Sequence, residues 1–263
     1  TRPRRRNFEF KGIAIQTQVQ YPRLEEVLEQ AILNGLLRFS NGRRLTHVPF
    51  SLSPCHVRQE ELSQMQKLTV PFSEMMLRVS RDRRILYELL QPLTDSDPFL
   101  RMLLEMSHHE ETQPLQLLIQ RNDFFITGNS DSKENLRQVE LNTISASFPY
   151  LIERLIKIHR MHFRDDPEVL KNLVSNAPIQ GIVNIMAEAF MQYSKSNSGL
   201  LTVIQPGEGN LFDQLGLEKL LWENHGIRSI RKSLEEIGQT ATLKQGHLFL
   251  ENNLISVVYY RAG

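Results

Sequence analysis

Residues 138–148 read Gln138-Val139-Glu140-Leu141-Asn142-Thr143-Ile144-Ser145-Ala146-Ser147-Phe148, an alternating segment followed by a run of hydroxyl side chains. The alternation is typical of a strand that buries Val139 and Leu141 on one face. Glu140 and Asn142 then share the opposite face, and their carboxylate and amide oxygens are ligands that Mg²⁺ accepts. Periodicity alone favours a simpler interpretation, a solvated edge strand that runs into a Ser/Thr loop and binds nothing.

The same run resembles the Glu-Xaa-Asn-Thr-Ile-Ser-Ala-Ser-Phe signature of the eukaryotic-type glutathione synthetases. The resemblance implies that Glu140 and Asn142 form a magnesium site and that Ser145 and Ser147 contact γ-glutamylcysteine. The chain departs from the family directly after the phenylalanine, where Pro149-Tyr150 replaces a common pair of glycines. Because proline has no backbone N–H, we expect one donor available in the family to be missing here.

Two later segments resemble the same family. Residues 208–214 resemble its Glu-Xaa-Asn-Xaa-Phe-Asp-Gln motif, and residues 257–261 resemble its Val-Val-Tyr-Phe-Arg motif. The resemblance implies that four side chains contact the dipeptide: Glu208, Asn210, Gln214 and Arg261. The chemistry agrees, since a γ-glutamyl head carries an ammonium suited to a carboxylate and a carboxylate suited to a guanidinium. Ala262 stands where the family has an aspartate after the arginine.

An arginine precedes the signature at the distance that the family shows. Residues 115–119 predict a strand that leads to Arg121, and the loop at residues 128–132 lets this segment pair with the signature strand. Such pairing places Arg121 near Glu140 and Ser147. The resemblance implies that Arg121 is the catalytic, substrate-contacting arginine, because a guanidinium grips a carboxylate with two parallel hydrogen bonds. A surface Arg–Asp pair with no ligand is the alternative.

The pattern of elements predicts an α/β protein in three parts. Residues 1–110 are expected to be mainly helical, with a long helix from Pro71 that uses Ser73 as its N-cap and ends before Pro92. The resemblance implies that residues 111–195 form a partial ATP-grasp sheet with the magnesium-site strand, and that residues 196–263 form a β/α substrate-binding domain. The expected fold class is therefore an ATP-grasp-like glutathione synthetase fold, incomplete in this chain.

The last part reads as strands that alternate with helices. Residues 200–204 and 227–230 predict buried strands, and residues 254–260 predict the second strand of a closing hairpin, parallel to the earlier two. Ser233-Leu234-Glu235-Glu236 predicts a capping box that opens a helix. In such sheets ligands gather beyond the carboxyl ends of the strands, which is where residues 207–210 and Arg261 fall.

Composition argues against several classes of partner. The chain has 31 Lys and Arg residues against 30 Asp and Glu residues, so its net charge gives no reason to expect binding to nucleic acid or to a membrane surface. No apolar run is long enough to span a bilayer, and the N-terminus lacks the apolar core of a signal peptide. Cys55 is the single cysteine, which fits a reducing compartment, and we expect a cytoplasmic protein.

The family resemblance implies an ATP- and Mg²⁺-dependent ligase that joins γ-glutamylcysteine to glycine, working as a homodimer. ATP phosphorylates the cysteinyl carboxylate and the glycine amine attacks the acyl phosphate, so positioning and charge neutralisation carry the catalysis. The resemblance covers about the first half of the family pattern, without its glycine-rich lid loop and nucleotide-binding lysines. We therefore expect these residues alone not to form glutathione or ADP, and the alternative is a protein that binds γ-glutamyl peptides without ligating them.

Overall fold

The computed structural model describes residues 24–40, 44–108, 115–127, 136–175, 177–195 and 197–262. The helices of these residues are α1 Leu24–Leu33, α2 Gln59–Arg81, α3 Arg83–Leu90, α4 Pro98–Ser107, α5 Pro149–His162, α6 Pro167–Asn172, α7 Pro178–Tyr193, α8 Leu211–His225 and α9 Leu234–Thr240. The strands are β1 Leu37–Ser40, β2 Arg44–His47, β3 Arg121–Ile126, β4 Leu136–Asn142, β5 Ser198–Val203, β6 Ser229–Lys232, β7 Thr242–Lys244, β8 His247–Leu250 and β9 Asn253–Tyr260.

A five-stranded sheet with the order β6-β5-β9-β8-β7 organises the last part of the chain. Strand β5 pairs in parallel with both β6 and β9, while β9, β8 and β7 follow one another as antiparallel neighbours. The predicted parallel arrangement of the last strand is therefore confirmed. Because β5, β6 and β9 share one direction, the residues that follow them meet at one edge of the sheet.

Both faces of this sheet are covered at β5, which alternates two buried sets of side chains. Leu200 packs with α7 and α8 in a cluster that includes Met186 and Leu221. Leu201 and Val203 point the other way and pack with Ile237 of α9 and its neighbours. The predicted capping box opens α9, where the Ser233 N–H donates to the Glu236 carboxylate over 2.8 Å and the Glu236 N–H donates to Ser233 Oγ over 3.2 Å.

A second cluster joins the beginning of the described chain to its middle. Val27 and Ala31 of α1 pack with Leu151 and Ile158 of α5. Tyr150 contacts this cluster and the α7–α8 cluster as well, so it lies between the two packing units. The proline-led segments at residues 149–162 and 178–193 predict helices, and α5 and α7 have these bounds. The division into three domains stays a prediction.

The long N-terminal helix begins earlier than the sequence predicts. Helix α2 starts at Gln59, and Pro71 lies inside it. The start is fixed by Glu61, whose carboxylate accepts hydrogen bonds from the Arg58 N–H over 3.3 Å and from its guanidinium. Ser73 is not an N-cap, because its hydroxyl donates to the Thr69 carbonyl one turn back in the same helix. Proline thus removes one internal hydrogen bond without ending α2.

The strand expected at residues 115–119 is also displaced. This segment has no regular structure, and the strand begins at Arg121 and pairs antiparallel with β4, as the pairing argument requires. Ile119 packs instead against the α7–α8 cluster. Val139 is 50% exposed, contrary to the burial predicted for it. The loop at residues 128–132 lies outside the described residues.

No helix in the described ranges combines the length and the apolar character that a membrane crossing requires.

Candidate functional site

The site lies beyond the carboxyl ends of β5 and β9. After β5, residues 204–210 form a loop that is held to the N-terminal part of the chain, because the Phe39 N–H donates to the Gly209 carbonyl over 3.3 Å. A side chain at position 209 would meet the Phe39 carbonyl, so glycine allows this close approach. After β9, the Arg261 N–H donates to the Val203 carbonyl over 3.1 Å, which sets Arg261 beside the loop.

Arg261 is only 2% exposed and lies at the centre of a polar network. Its Nη2 donates to Glu208 Oε1 and to Ser147 Oγ, each over 2.7 Å. In return, Ser145 Oγ donates to the Arg261 carbonyl over 2.7 Å, and Ser147 Oγ donates to the Ser145 carbonyl over 3.0 Å. The loop of residues 143–148, hereafter the signature loop, is thereby locked to the end of β9.

Asp213 fixes the other end of the signature loop. Its carboxylate accepts the backbone N–H groups of Phe148, Tyr150 and Leu151 over 2.8, 3.0 and 3.2 Å. These groups begin α5, where helical N–H groups lack internal partners, and Pro149 contributes none. Burial raises the pKa of the Asp213 carboxyl above its ordinary value, while the three N–H groups and the charge of Arg261 act in the opposite direction.

The signature loop carries two non-glycine residues in the left-handed region, Ser145 with φ 54° and Phe148 with φ 80°. Such residues each cost on the order of 1–3 kcal/mol and persist where their surroundings hold them. Here Arg261 holds Ser145 and Asp213 holds the N–H of Phe148. Strained backbone held from two sides is a feature of sites that must keep one geometry.

The network continues inward through α8. Gln214 is 3% exposed, and its Nε2 donates to Glu208 Oε2 over 2.7 Å. Arg231 of β6 donates from Nη2 to Gln214 Oε1 over 2.7 Å and from Nη1 to the Glu218 carboxylate. Burial raises the pKa of the Glu218 carboxyl, and the adjacent Arg231 opposes that rise. Six side chains from Ser147 to Glu218 thus form one continuous chain of contacts.

A separate cluster surrounds the predicted magnesium pair. Asn142 Nδ2 donates to Glu140 Oε1 over 3.0 Å, so the two side chains share one face of β4 as predicted. Arg121 lies across on β3, with Nη2 3.8 Å from Glu140 Oε1. Its fork is directed at Asp123, to which Nε and Nη2 donate over 2.8 and 2.9 Å. These hydrogen bonds from Arg121 hold the pKa of the Asp123 carboxyl below its ordinary value.

Eight of the nine predicted site residues therefore fall into two groups. Arg261, Glu208, Gln214, Ser145 and Ser147 share the polar network around Arg261, and Arg121, Glu140 and Asn142 form the β3–β4 cluster. Asn210 belongs to neither group: it is the N-cap residue of α8, and its side chain makes no capping hydrogen bond. Arg121 lies near Glu140 as predicted, and the structure gives it no bond to Ser147.

Sequence reasoning missed three residues that the site uses: Asp213, Glu218 and Arg231. Asp213 lies inside the quoted 208–214 motif, and only knowledge of its distant backbone partners reveals what it does. Arg231 lies near the carboxyl end of β6, so the rule used for the ends of β5 and β9 points to it as well.

A cleft of ≈ 1050 Å³ opens beside the network. Glu208, Gln214 and Arg231 line it on one side, and Phe39 with Ser40 closes another. A smaller cavity of ≈ 210 Å³ lies between the signature loop and β9, and Ser145 borders it. The larger cleft thus reaches Glu208 and Gln214, and the smaller cavity reaches Ser145.

Comparison with known proteins places these features in context. The family model described as eukaryotic glutathione synthase, ATP binding domain, matches residues 21–251. Glutathione synthetase of Dictyostelium discoideum is 32% identical over 262 residues, which cover 91% of this chain and 55% of that protein. The chloroplastic glutathione synthetase of Solanum lycopersicum is 30% identical over 231 residues, covering 84% and 42%. The chain thus spans about half the length of the curated relatives it matches.

A solved structure resembles the fold. It is that of a glutathione synthetase-like effector from Globodera pallida in its apo form, with a TM-score of 0.76, 18% sequence identity, and coverage of 91% of this chain and 56% of that one. At this identity the likeness concerns the fold alone.

Proposed function

Because this chain belongs to the eukaryotic glutathione synthase family, we propose that its buried network is the site that holds the γ-glutamyl head of γ-glutamylcysteine. The observation that carries the proposal is that Arg261 Nη2 lies 2.7 Å from both Glu208 Oε1 and Ser147 Oγ. These residues come from three distant segments, and each belongs to a motif that resembles the family.

The charges of the network complement those of the ligand. A γ-glutamyl head has a free α-ammonium and a free α-carboxylate on one carbon, and Glu208 and Arg261 offer the opposite charges side by side. The Arg261 side chain is 3% exposed, so an ion pair formed with it is less screened by water than a surface pair. Asn210, Gln214, Ser145 and Ser147 supply the remaining polar contacts of the proposed site.

The β4 pair is proposed as the site of Mg²⁺, with ATP as co-substrate. Glu140 and Asn142 lie side by side on an exposed face, and a carboxylate with an amide oxygen is a donor set that suits this ion. The amide of Asn142 must turn its oxygen outward to act as a ligand. When bound, the ion would neutralise charge on the phosphates of ATP. Arg121 beside it is proposed to hold a substrate oxygen, which requires it to release part of its contact with Asp123.

The spacing of the two groups supports one shared reaction centre. Asn142 and Ser145 are three residues apart, so their Cα atoms are at most about 11 Å from each other. This short reach supports placing the phosphates of ATP near Asn142 and the dipeptide near Ser145 in one reaction centre. The proposed reaction of the whole protein is the ATP-dependent ligation of γ-glutamylcysteine to glycine. From the family resemblance we also propose a cytoplasmic homodimer. A light-scattering mass equal to one chain at micromolar concentration would argue against the dimer.

A second candidate is a protein that binds γ-glutamyl peptides without ligating them. The departures at Pro149-Tyr150 and Ala262 favour it, because they flank the two residues that the network joins most tightly, Ser147 and Arg261. Incubation with ATP, Mg²⁺, γ-glutamylcysteine and glycine separates the two candidates. Formation of glutathione and ADP above a no-protein control supports the ligase, and binding without turnover supports the binder.

Calorimetric titration of γ-glutamylcysteine into parent and variant chains tests the site. We expect Arg261→Ala to weaken binding by about 1.5–3 kcal/mol, the usual loss when a charged hydrogen-bond partner is removed. Arg261→Lys should lose less, because it keeps the charge without the planar fork. Arg164→Ala is the control, since Arg164 is exposed and pairs with its neighbour Asp165. An Arg261→Ala variant that binds the dipeptide as the parent does would refute the assignment.

A further inference from the structure

The polar network continues beyond every residue assigned above to ligand contact, and it ends on Arg231 and Glu218. We infer that Arg231 is a positioning residue of the proposed γ-glutamyl site, and the inference rests on that proposed function. Its guanidinium holds Gln214 in the one amide orientation that lets Gln214 hold Glu208. Arg231 itself needs no contact with the ligand.

The direction of the Gln214 amide follows from the chemistry of its two neighbours. A guanidinium only donates hydrogen bonds and a carboxylate only accepts them. The Gln214 oxygen must therefore face Arg231, and its NH₂ group must face Glu208, as the 2.7 Å contacts on both sides show. Without a donor at position 231, the Gln214 oxygen loses its partner, and the contact with Glu208 alone has to hold the amide in place.

The shape of arginine suits this position. Gln214 and Glu218 are four residues apart on α8, so their side chains lie one above the other on the same helical face. Arg231 reaches both from β6 with separate nitrogens of one planar group. The Arg231 and Glu218 side chains are 21% and 12% exposed, so water has limited access to replace these contacts. A lysine can place one ammonium but cannot span both acceptors with a rigid fork.

The neighbouring strand residue offers a matched control. Lys232 follows Arg231 on β6, carries the same charge, and pairs with Glu251 over 2.9 Å. Because alternate residues of a strand point to opposite faces, Lys232 points away from Gln214. Arg231→Met and Lys232→Met therefore remove the same charge from the same strand and break one carboxylate pair each. Only the first removes the donor that faces Gln214.

Two measurements test the inference. The first is the calorimetric Kd for γ-glutamylcysteine, which we expect to rise about tenfold or more in Arg231→Met and to stay at the parent value in Lys232→Met. The second is the ¹H–¹⁵N spectrum of the Gln214 side-chain NH₂, assigned as the signal that Gln214→Leu removes. In Arg231→Met this signal should move to the region of water-exposed glutamine amides, and in Lys232→Met it should stay in place.

The amide signal decides the inference even without the ligand. If the parent chain does not bind the dipeptide, the proposed function fails, while an amide signal that moves only in Arg231→Met still supports the positioning role. The inference would be overturned if the signal does not move in Arg231→Met. It would also be overturned if the parent binds the dipeptide and Arg231→Met has the same Kd, or if Lys232→Met loses as much affinity as Arg231→Met. Thermal unfolding checks that each variant is folded, and Arg231→Lys takes the place of Arg231→Met if the latter is not. In Arg231→Lys we expect a smaller change in the same direction, and the absence of any change would overturn the inference.

Discussion

Gly216 and Tyr150 make the closest approach between α8 and α5, and replacing the glycine tests how tightly these helices fit. A Cβ at position 216 would lie 2.3 Å from Tyr150 Cγ and 2.4 Å from each Cδ. Ordinary contact begins about 1 Å farther out, so the ring would have to retreat by that amount. Its freedom is limited, because Tyr150 packs against two core clusters and the Arg154 guanidinium lies 4.3 Å from its centroid.

The expected effect of Gly216→Ala is the difference between two opposing contributions. Overpacking of a filled site costs typically about 1–3 kcal/mol. Alanine inside a helix contributes about 1 kcal/mol relative to glycine. We therefore expect the free energy of unfolding to fall by up to about 2 kcal/mol, which for a chain of this size lowers Tm by up to about 8 °C.

Urea unfolding of matched variants isolates the packing contribution. Gly181 lies in α7, and a Cβ there would meet nothing within 4 Å. Gly181→Ala should therefore raise the free energy of unfolding by about 0.5–1 kcal/mol. In a Tyr150→Ala background the ring is absent, so Gly216→Ala should change from destabilising to stabilising. The reasoning is refuted if Gly216→Ala stabilises the parent chain as Gly181→Ala does.

Three further predictions concern the polar groups. Asp213→Asn keeps one acceptor oxygen but turns an NH₂ toward one backbone donor, so stability should fall by about 1.5–3 kcal/mol and the Phe148 amide should exchange faster with solvent; unchanged exchange would contradict this. Burial raises the pKa of Glu218 in the folded state. Its contribution to folding stability is therefore largest below the ordinary pKa of about 4.3 and is lost as the pH rises through the raised pKa of the folded state. Glu218→Gln removes this titration, so its stability relative to the parent should increase from pH 4 toward neutrality, whereas a constant difference in urea midpoints would argue against it. Glu140→Gln should abolish the broadening of residues 140–142 by Mn²⁺, a paramagnetic substitute for Mg²⁺, and persistence of that broadening would remove Glu140 from the metal site.

Local patterns in the sequence predicted much of the fold. The alternation at 138–142, the proline-led helices α5 and α7, and the Ser233 capping box each depend on residues within a few positions of one another. The parallel placement of β9 followed from the order of strands and helices, and it correctly set Arg261 beside the loop after β5. Resemblance to the family then brought Glu208, Gln214 and Arg261 together before any geometry was known.

The features that the sequence did not predict depend on contacts between distant segments. Helix α2 continues through Pro71 because one missing N–H does not outweigh a start fixed by Glu61. Val139 is exposed although its alternation predicts burial, because periodicity shows which residues share a face and not whether that face is covered. The Asp213 carboxylate accepts hydrogen bonds from backbone N–H groups more than sixty residues away, and the periodicity of a sequence does not indicate such a contact.

The most direct test of the proposed site compares two dipeptides that differ only in their linkage. In γ-glutamylcysteine the α-ammonium and α-carboxylate are both free to meet Glu208 and Arg261. In the α-linked isomer the α-carboxylate has become part of the peptide bond. Calorimetry of the parent chain under reducing conditions should give a Kd for the γ-linked dipeptide at least about tenfold below that for the α-linked one, as expected for the loss of one charged partner. Equal affinity for the two dipeptides would contradict a site built around the γ-glutamyl head.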